Sequence, residues 1–140
     1  MLRGERGSTT LELVIWGPVL LLVLSVIVYA GRTAQARQTV EAAAGEAARA
    51  ATAAPTQRQA RADATAAAEA ALQSSGLRCR TTSVEIDTRG WMLPAGVPAT
   101  ATAVVSCDVD LASITAPGVP GSQLVQGTAS SAMDTFRARS

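Results

Sequence analysis

The pattern of apolar and polar positions changes character twice along this chain. From Leu13 to Gly31 there is no alternation at all: nineteen residues pass without a charge, and most are Leu, Val or Ile. From Arg32 to Ala54 small apolar residues return at three- and four-residue spacing, as Ala36, Val40, Ala44, Ala47 and Ala51. That is one stripe of an α-helix. A second alanine-rich stretch, Gln57 to Gly76, places Ala60, Ala64, Ala67 and Ala71 on a comparable stripe. Beyond Leu77 the period drops to two.

Each pattern predicts an element. The uncharged run, at 1.5 Å per residue, spans roughly 28 Å, about one hydrocarbon thickness, and predicts a membrane-spanning helix over 13–31. Pro18 predicts a kink, since it removes one backbone donor and neighbouring helices can satisfy the freed carbonyl. Helix formers continue from Arg32 to Ala54, so the span and its extension read as one rod over 8–54. Arg37 and Glu41 are spaced for a surface ion pair on it. Pro55 ends this segment. Thr56 is placed to cap a second helix within 55–76, and Gly76 to stop it. The two helices predict an antiparallel hairpin.

The remainder, 77–140, reads as a small β module. "LRCRTTSVEIDT" and "ATATAVVSCDVDL" alternate and are rich in Thr and Val. "RGWMLPAGVP" connects them, and Gln123 to Phe136 predicts a third strand or a short helix after the turn-rich 115–121. A hairpin pivoting near Leu93 sets Cys79 opposite Cys107, Leu77 opposite Val109 and Arg78 opposite Asp108. The two cysteines therefore predict a disulfide, which favours a compartment outside the cytoplasm. Trp91, in the connector, is either a core plug or an exposed contact. The fold class expected is α+β: a long N-terminal helix, a short second helix and a small antiparallel sheet with one disulfide.

Composition narrows the chemistry. All 12 basic residues are arginine, and there is no histidine. Histidine-dependent triads are thereby excluded, and zinc-type ligand sets are poorly supplied. A net charge of +1 gives no case for nucleic-acid binding. Asp108 and Asp110 sit at strand spacing with no visible catalytic partner, and neither an enzyme nor a cofactor is expected.

One motif stands out ahead of the span. Gly7-Ser8-Thr9-Thr10-Leu11-Glu12 follows a leader of seven residues that carries Arg3 and Arg6. A glycine, a gap of four residues, a glutamate and then a long apolar helix resembles the processing region of type IV prepilins and pseudopilins. "RGSTTLEL", over 6–13, is most similar to the TadE-like minor pseudopilins of Flp (tight adherence) pilus systems. The resemblance implies cleavage by a membrane prepilin peptidase between Gly7 and Ser8, on the cytoplasmic face. It makes 1–7 a leader and Glu12 the fifth mature residue. It also implies other pilin or pseudopilin subunits, and the pilus assembly machinery, as partners. Glu12 then serves assembly: a new amine on Ser8 of one subunit faces Glu12 of a staggered neighbour and fixes helix register. A plainer reading coexists, because Ser8, Thr9 or Thr10 can cap the helix and Thr9-x-x-Glu12 reads as a capping box.

The location expected is the cytoplasmic membrane, crossed once, with the N-terminus inside and the C-terminal module outside. Arginine counts flanking the span are nearly balanced, so this orientation leans on the cysteines. Two rivals remain open: an uncleaved, signal-anchored surface protein with a ligand-binding outer domain, and a secreted enzyme released by cleavage after Ala30.

Overall fold

The computed structural model describes the backbone of residues 8–114 and 120–136, with side chains over 14–112 and 120–136. The predicted leader and most of the turn-rich 115–121 segment lie outside the described residues. Helix α1 runs from Ser8 to Ala53 without interruption, through Pro18. Its 46 residues make a rod of about 69 Å. Helix α2 spans Gln57–Ser74. The Thr56 hydroxyl accepts from the Gln59 amide at 3.2 Å, as a cap should, and Gly76 takes a positive φ of 73° just past the helix end. Strands β1 (Cys79–Asp87), β2 (Thr100–Asp110) and β3 (Ser122–Ala132) form an antiparallel meander with β2 in the centre. A one-turn helix, α3, occupies Leu111–Ile114 between β2 and β3.

The two helices lie on one face of this sheet, and alanine makes that packing possible. Ala36, Val40, Ala44, Ala47 and Ala51 are all buried, together with Ala43 and Ala48 beside them. The upper half of α1 thus buries two adjoining faces, one toward α2 and one toward the sheet. The contacting stripe of α2 is Ala60, Ala64, Ala68 and Leu72. This corrects the expectation for Ala67 and Ala71, which are only partly buried. Strict four-residue spacing wins because it brings Leu72, the one large apolar side chain of α2, under the core.

Core side chains are small throughout; the largest fully buried ones are Val40, Val105, Val109 and Cys107. Trp91 is the exception in bulk. It sits in a 3₁₀ turn, Arg89–Met92, is 3% exposed, and donates its indole N–H to the Ala54 carbonyl at 3.3 Å. It is a core plug that closes the far end of α1. In the same turn Arg89 grips Asp87, whose carboxyl is held down at about 2 chiefly by the hydrogen bonds Arg89 donates to it. The expected pair of Arg37 with Glu41 does not form; Arg49 pairs with Glu46 instead. Both sites on α1 are hydrated, where an ion pair gains only a few tenths of a kcal/mol, so little selects between them.

The disulfide forms as expected: Cys79 and Cys107 are bridged with Cα atoms 5.3 Å apart. The hairpin register does not follow the expectation. Cys79 pairs with Val109, Thr82 faces Cys107, and the ladder shifts between Cys79 and Thr81. Leu77 and Arg78 precede the strand, so their predicted partners Val109 and Asp108 are taken by Cys79 and Thr81. Parity explains the shift. Val84 and Ile86 pack toward the core from even positions, and Cys79 does so from an odd one. In a regular strand they would face opposite ways. One extra residue, Arg80, reverses the alternation and lets both sets face inward. The bridge closes a 28-residue separation, worth roughly 3–4 kcal/mol in the chain-entropy account. A core built of alanine needs such a staple.

The tightest point lies where β3 crosses α1. A Cβ placed on Gly127 would sit 2.6 Å from the Glu41 amide nitrogen and 2.7 Å from the Val40 carbonyl carbon. Both obstacles are helix backbone and cannot swing aside. Gly127→Ala should therefore lower stability by about 1–3 kcal/mol, the cost of overpacking. Gly45, with open space around its Cβ position, gives the opposite sign. Gly45→Ala should stabilise by about 0.5–1 kcal/mol through helix propensity. Thermal unfolding of the detergent-solubilised chain, followed by circular dichroism, checks both directions.

Candidate membrane and assembly surface

Below Arg32, α1 has almost no protein around it. Large apolar side chains from Val14 to Tyr29 are exposed on every side of the helix: Ile15 by 67%, Leu21 by 66% and Leu22 by 65%. A helix that serves a soluble core is covered along its apolar face, whereas here none of the apolar window is buried. It is long and apolar enough to cross a membrane. Two hydroxyls in and beside it bond back to the helix's own carbonyls. Ser25 donates to the Leu21 carbonyl at 2.7 Å, and Thr33, just past the run, to the Tyr29 carbonyl at 3.0 Å. Back-bonding of this kind lowers the cost of a hydroxyl in hydrocarbon.

The upper end of the apolar run meets the module directly. The Tyr29 hydroxyl approaches Gln123 Oε1, at the start of β3, at 3.5 Å. Nothing flexible separates span from module, because α1 carries both. The module therefore stands on the surface of whatever apolar medium surrounds residues 14–31.

The predicted processing residues fall at the other end. Gly7 lies outside the described residues. Ser8 is the first residue of α1, and Glu12 follows one turn later on the same side of the helix, about 6 Å along the axis. Their side chains are outside the described structure. Arg32 is twenty residues beyond Glu12, about 30 Å further up the helix, so the described arginines of the module are out of its reach. The structure thus joins Cys79 to Cys107 and keeps Glu12 remote from both.

Two features escaped the sequence reading. Gly127 carries no local signal, because only the approach of α1 makes it necessary. Arg80 did carry one: Cys79 and Val84 have opposite parity within a single predicted strand. Among the described residues no cluster of His, Cys, Asp or Glu is assembled for a metal.

These features define a class: a bare apolar helix that continues rigidly into a small disulfide-stapled α+β module. A family model, that of TadE-like proteins, matches residues 7–49. The matched stretch starts at the predicted cleavage glycine, takes in the apolar run and ends within the alanine face of α1. It is consistent with a TadE-like protein of the Flp (tight adherence) system, and suggests a role related to that pilus. No curated protein and no solved structure matches the chain.

An arginine in the middle of the bare helix tests the role of this surface. Leu22→Arg should cost about 2.5–3.5 kcal/mol of membrane insertion free energy. The expected result is loss of the chain from the alkaline-carbonate-resistant membrane fraction. Leu22→Ala should stay in that fraction.

Proposed function

We propose that this chain is a minor pseudopilin, or assembly subunit, of a Flp-type pilus. A prepilin peptidase removes 1–7 by cutting between Gly7 and Ser8. The mature protein then assembles through its N-terminal helix, with Glu12 setting the register. The observation that carries this reading is helix α1, which begins at Ser8, is uncovered along its apolar run from Val14 to Tyr29 and continues without a break into the module. The match over residues 7–49 supports the same reading.

The geometry of α1 supports a partner outside the chain. After cleavage the leader arginines, Arg3 and Arg6, are gone, and the next arginine, Arg32, lies about 30 Å away. Among the described residues no other cation of the chain reaches Glu12, which leaves the new amine of Ser8 and groups on neighbouring subunits. A carboxylate at the hydrocarbon edge is costly alone, and pairing offsets much of that cost. In a bundle of such rods, pairing Glu12 with a neighbour's Ser8 amine selects one lengthwise stagger out of many. Orientation follows from the same scheme: Gly7 inside for the peptidase, the disulfide module outside.

Mass spectrometry of the mature protein, purified from a host with the cognate peptidase, tests the processing step. The expected N-terminus is Ser8. An intact Met1 would overturn the reading in favour of an uncleaved anchored surface protein, and Gly31 in favour of a secreted product. Glu12→Ala should leave membrane insertion at the wild-type level and reduce assembled pili several-fold. Normal piliation by that variant would remove Glu12 from the assembly step.

A further inference from the structure

The base of the module, where it meets the end of the apolar run, carries an open cleft of about 630 Å³. Arg32, Gln35 and Thr39 line it from α1, and Gly76, Leu77 and Arg78 from the α2–β1 turn. A second hollow adjoins it around Arg78, Cys79 and Arg80, with Asp110 and Ala112 on its other side. Both Arg78 and Arg80 are exposed. The one acid in these linings is Asp110, whose Oδ1 also accepts the Ala112 amide at 3.1 Å. Arg78 and Arg80 thus bring two exposed guanidiniums to the linings of these adjoining hollows.

Depth is the second observation. Hydrocarbon ends near Gly31, and each headgroup layer is roughly 5–7 Å thick. Along α1, Arg32 to Gln35 occupy about the first 6 Å above that boundary. Tyr29, just below it, already touches β3 through Gln123. The cleft therefore opens at headgroup height. Arg78 and Arg80 are exposed on the lining of these hollows, and an arginine side chain is long enough to place its charge several ångströms from its backbone. Their position is fixed by covalent and ladder geometry. The bulge leaves Arg80 outside the pairing register, and the disulfide at Cys79 pins the residue between the two arginines.

We propose that this cleft binds the phosphate of an anionic phospholipid headgroup in the adjacent leaflet, with Arg78 and Arg80 as its principal cations. Guanidinium forks suit phosphate oxygens, and Gln35 and Thr39 offer neutral donors on the opposite wall. Bound lipid would clamp the module to the bilayer surface and limit tilt of the rod. The inference rests on the membrane-anchored reading above.

The test uses the full chain in vesicles of equal phosphatidylglycerol and phosphatidylcholine, floated, then extracted in nonionic detergent. Lipids retained by the purified protein are counted by mass spectrometry. The expected ratio of phosphatidylglycerol to phosphatidylcholine is roughly fivefold above bulk or more. Arg78→Ala/Arg80→Ala should return it to the bulk value, with the disulfide intact by unreduced gel mobility. Arg58→Ala/Arg61→Ala, an equal loss of charge at the far end of α2, should leave it unchanged. Bulk-like lipid on the wild-type chain overturns the proposal whatever the variants do. So does equal loss in both doubles, which would make the effect one of net charge. If inorganic phosphate raises the melting temperature while lipid stays at the bulk ratio, the cleft takes free phosphate and the lipid assignment falls. A chain that fails to float overturns the anchoring reading as well.

Discussion

Alanine buries so little surface that an alanine face stabilises a fold only when backbones come very close. The upper half of α1 is such a face, and the rest of the module is arranged to exploit it. The clearest sign is Gly127, where β3 approaches the helix until a single Cβ would strike the Glu41 and Val40 backbone. Close approach of this kind multiplies weak dispersion contacts over a long interface. It also makes the interface intolerant of added volume, since neither helix nor strand backbone can rotate away. The buried residues are mostly alanine and valine, and the structure compensates with one large plug, Trp91, and one covalent staple, Cys79–Cys107.

The same helix serves two environments. Its upper half is covered by protein, and its apolar run from Val14 to Tyr29 is uncovered. No loop or hinge residue divides the two halves, and α1 passes through Pro18 and Gly31 as one assigned helix. Any packing that fixes the lower half therefore also orients the module. The close contact between Tyr29 and Gln123 carries the point further, because β3 reaches down to the last turn of the apolar run.

Much of this was legible from residue order alone. Nineteen uncharged residues have one economical solution in water, which is to leave it. Thr56 and Gly76 mark helix ends by local chemistry, so no tertiary knowledge is needed to place them. The disulfide was legible because two cysteines in two strand-like segments have few alternatives. The register was not, since a connector of about ten residues has no defined midpoint, unlike a two-residue turn. Which alanines of α2 face inward was hidden for a different reason. Among Ala60, Ala64, Ala67, Ala68 and Ala71 nothing distinguishes one face from another, and only Leu72 breaks the tie. Trp91 left two readings open because an aromatic in a connector gives no direction; Ala54 supplies it by accepting the indole N–H. For the assembly residues, the resemblance to prepilins singled out Gly7, Ser8 and Glu12, and the fold adds that Ser8 begins the helix.

Rigidity gives the placement of Glu12 its mechanical meaning. In a continuous helix each residue of offset between neighbours is about 1.5 Å along the axis and about 100° around it. A register fixed at the base of α1 thus fixes both the height and the azimuth of the module some tens of ångströms above. Were the module joined by a flexible linker, the same ion pair would set the stagger of the membrane helices alone. Under the proposed pairing of Glu12, the unbroken passage of α1 from Ser8 to Ala53, with Gly127 locked against its upper half, would turn a local electrostatic choice into an architectural one. In the proposed assembly the alanine face and the lone glutamate are therefore parts of one device: the first makes the rod and module a single body, and the second decides where that body stands.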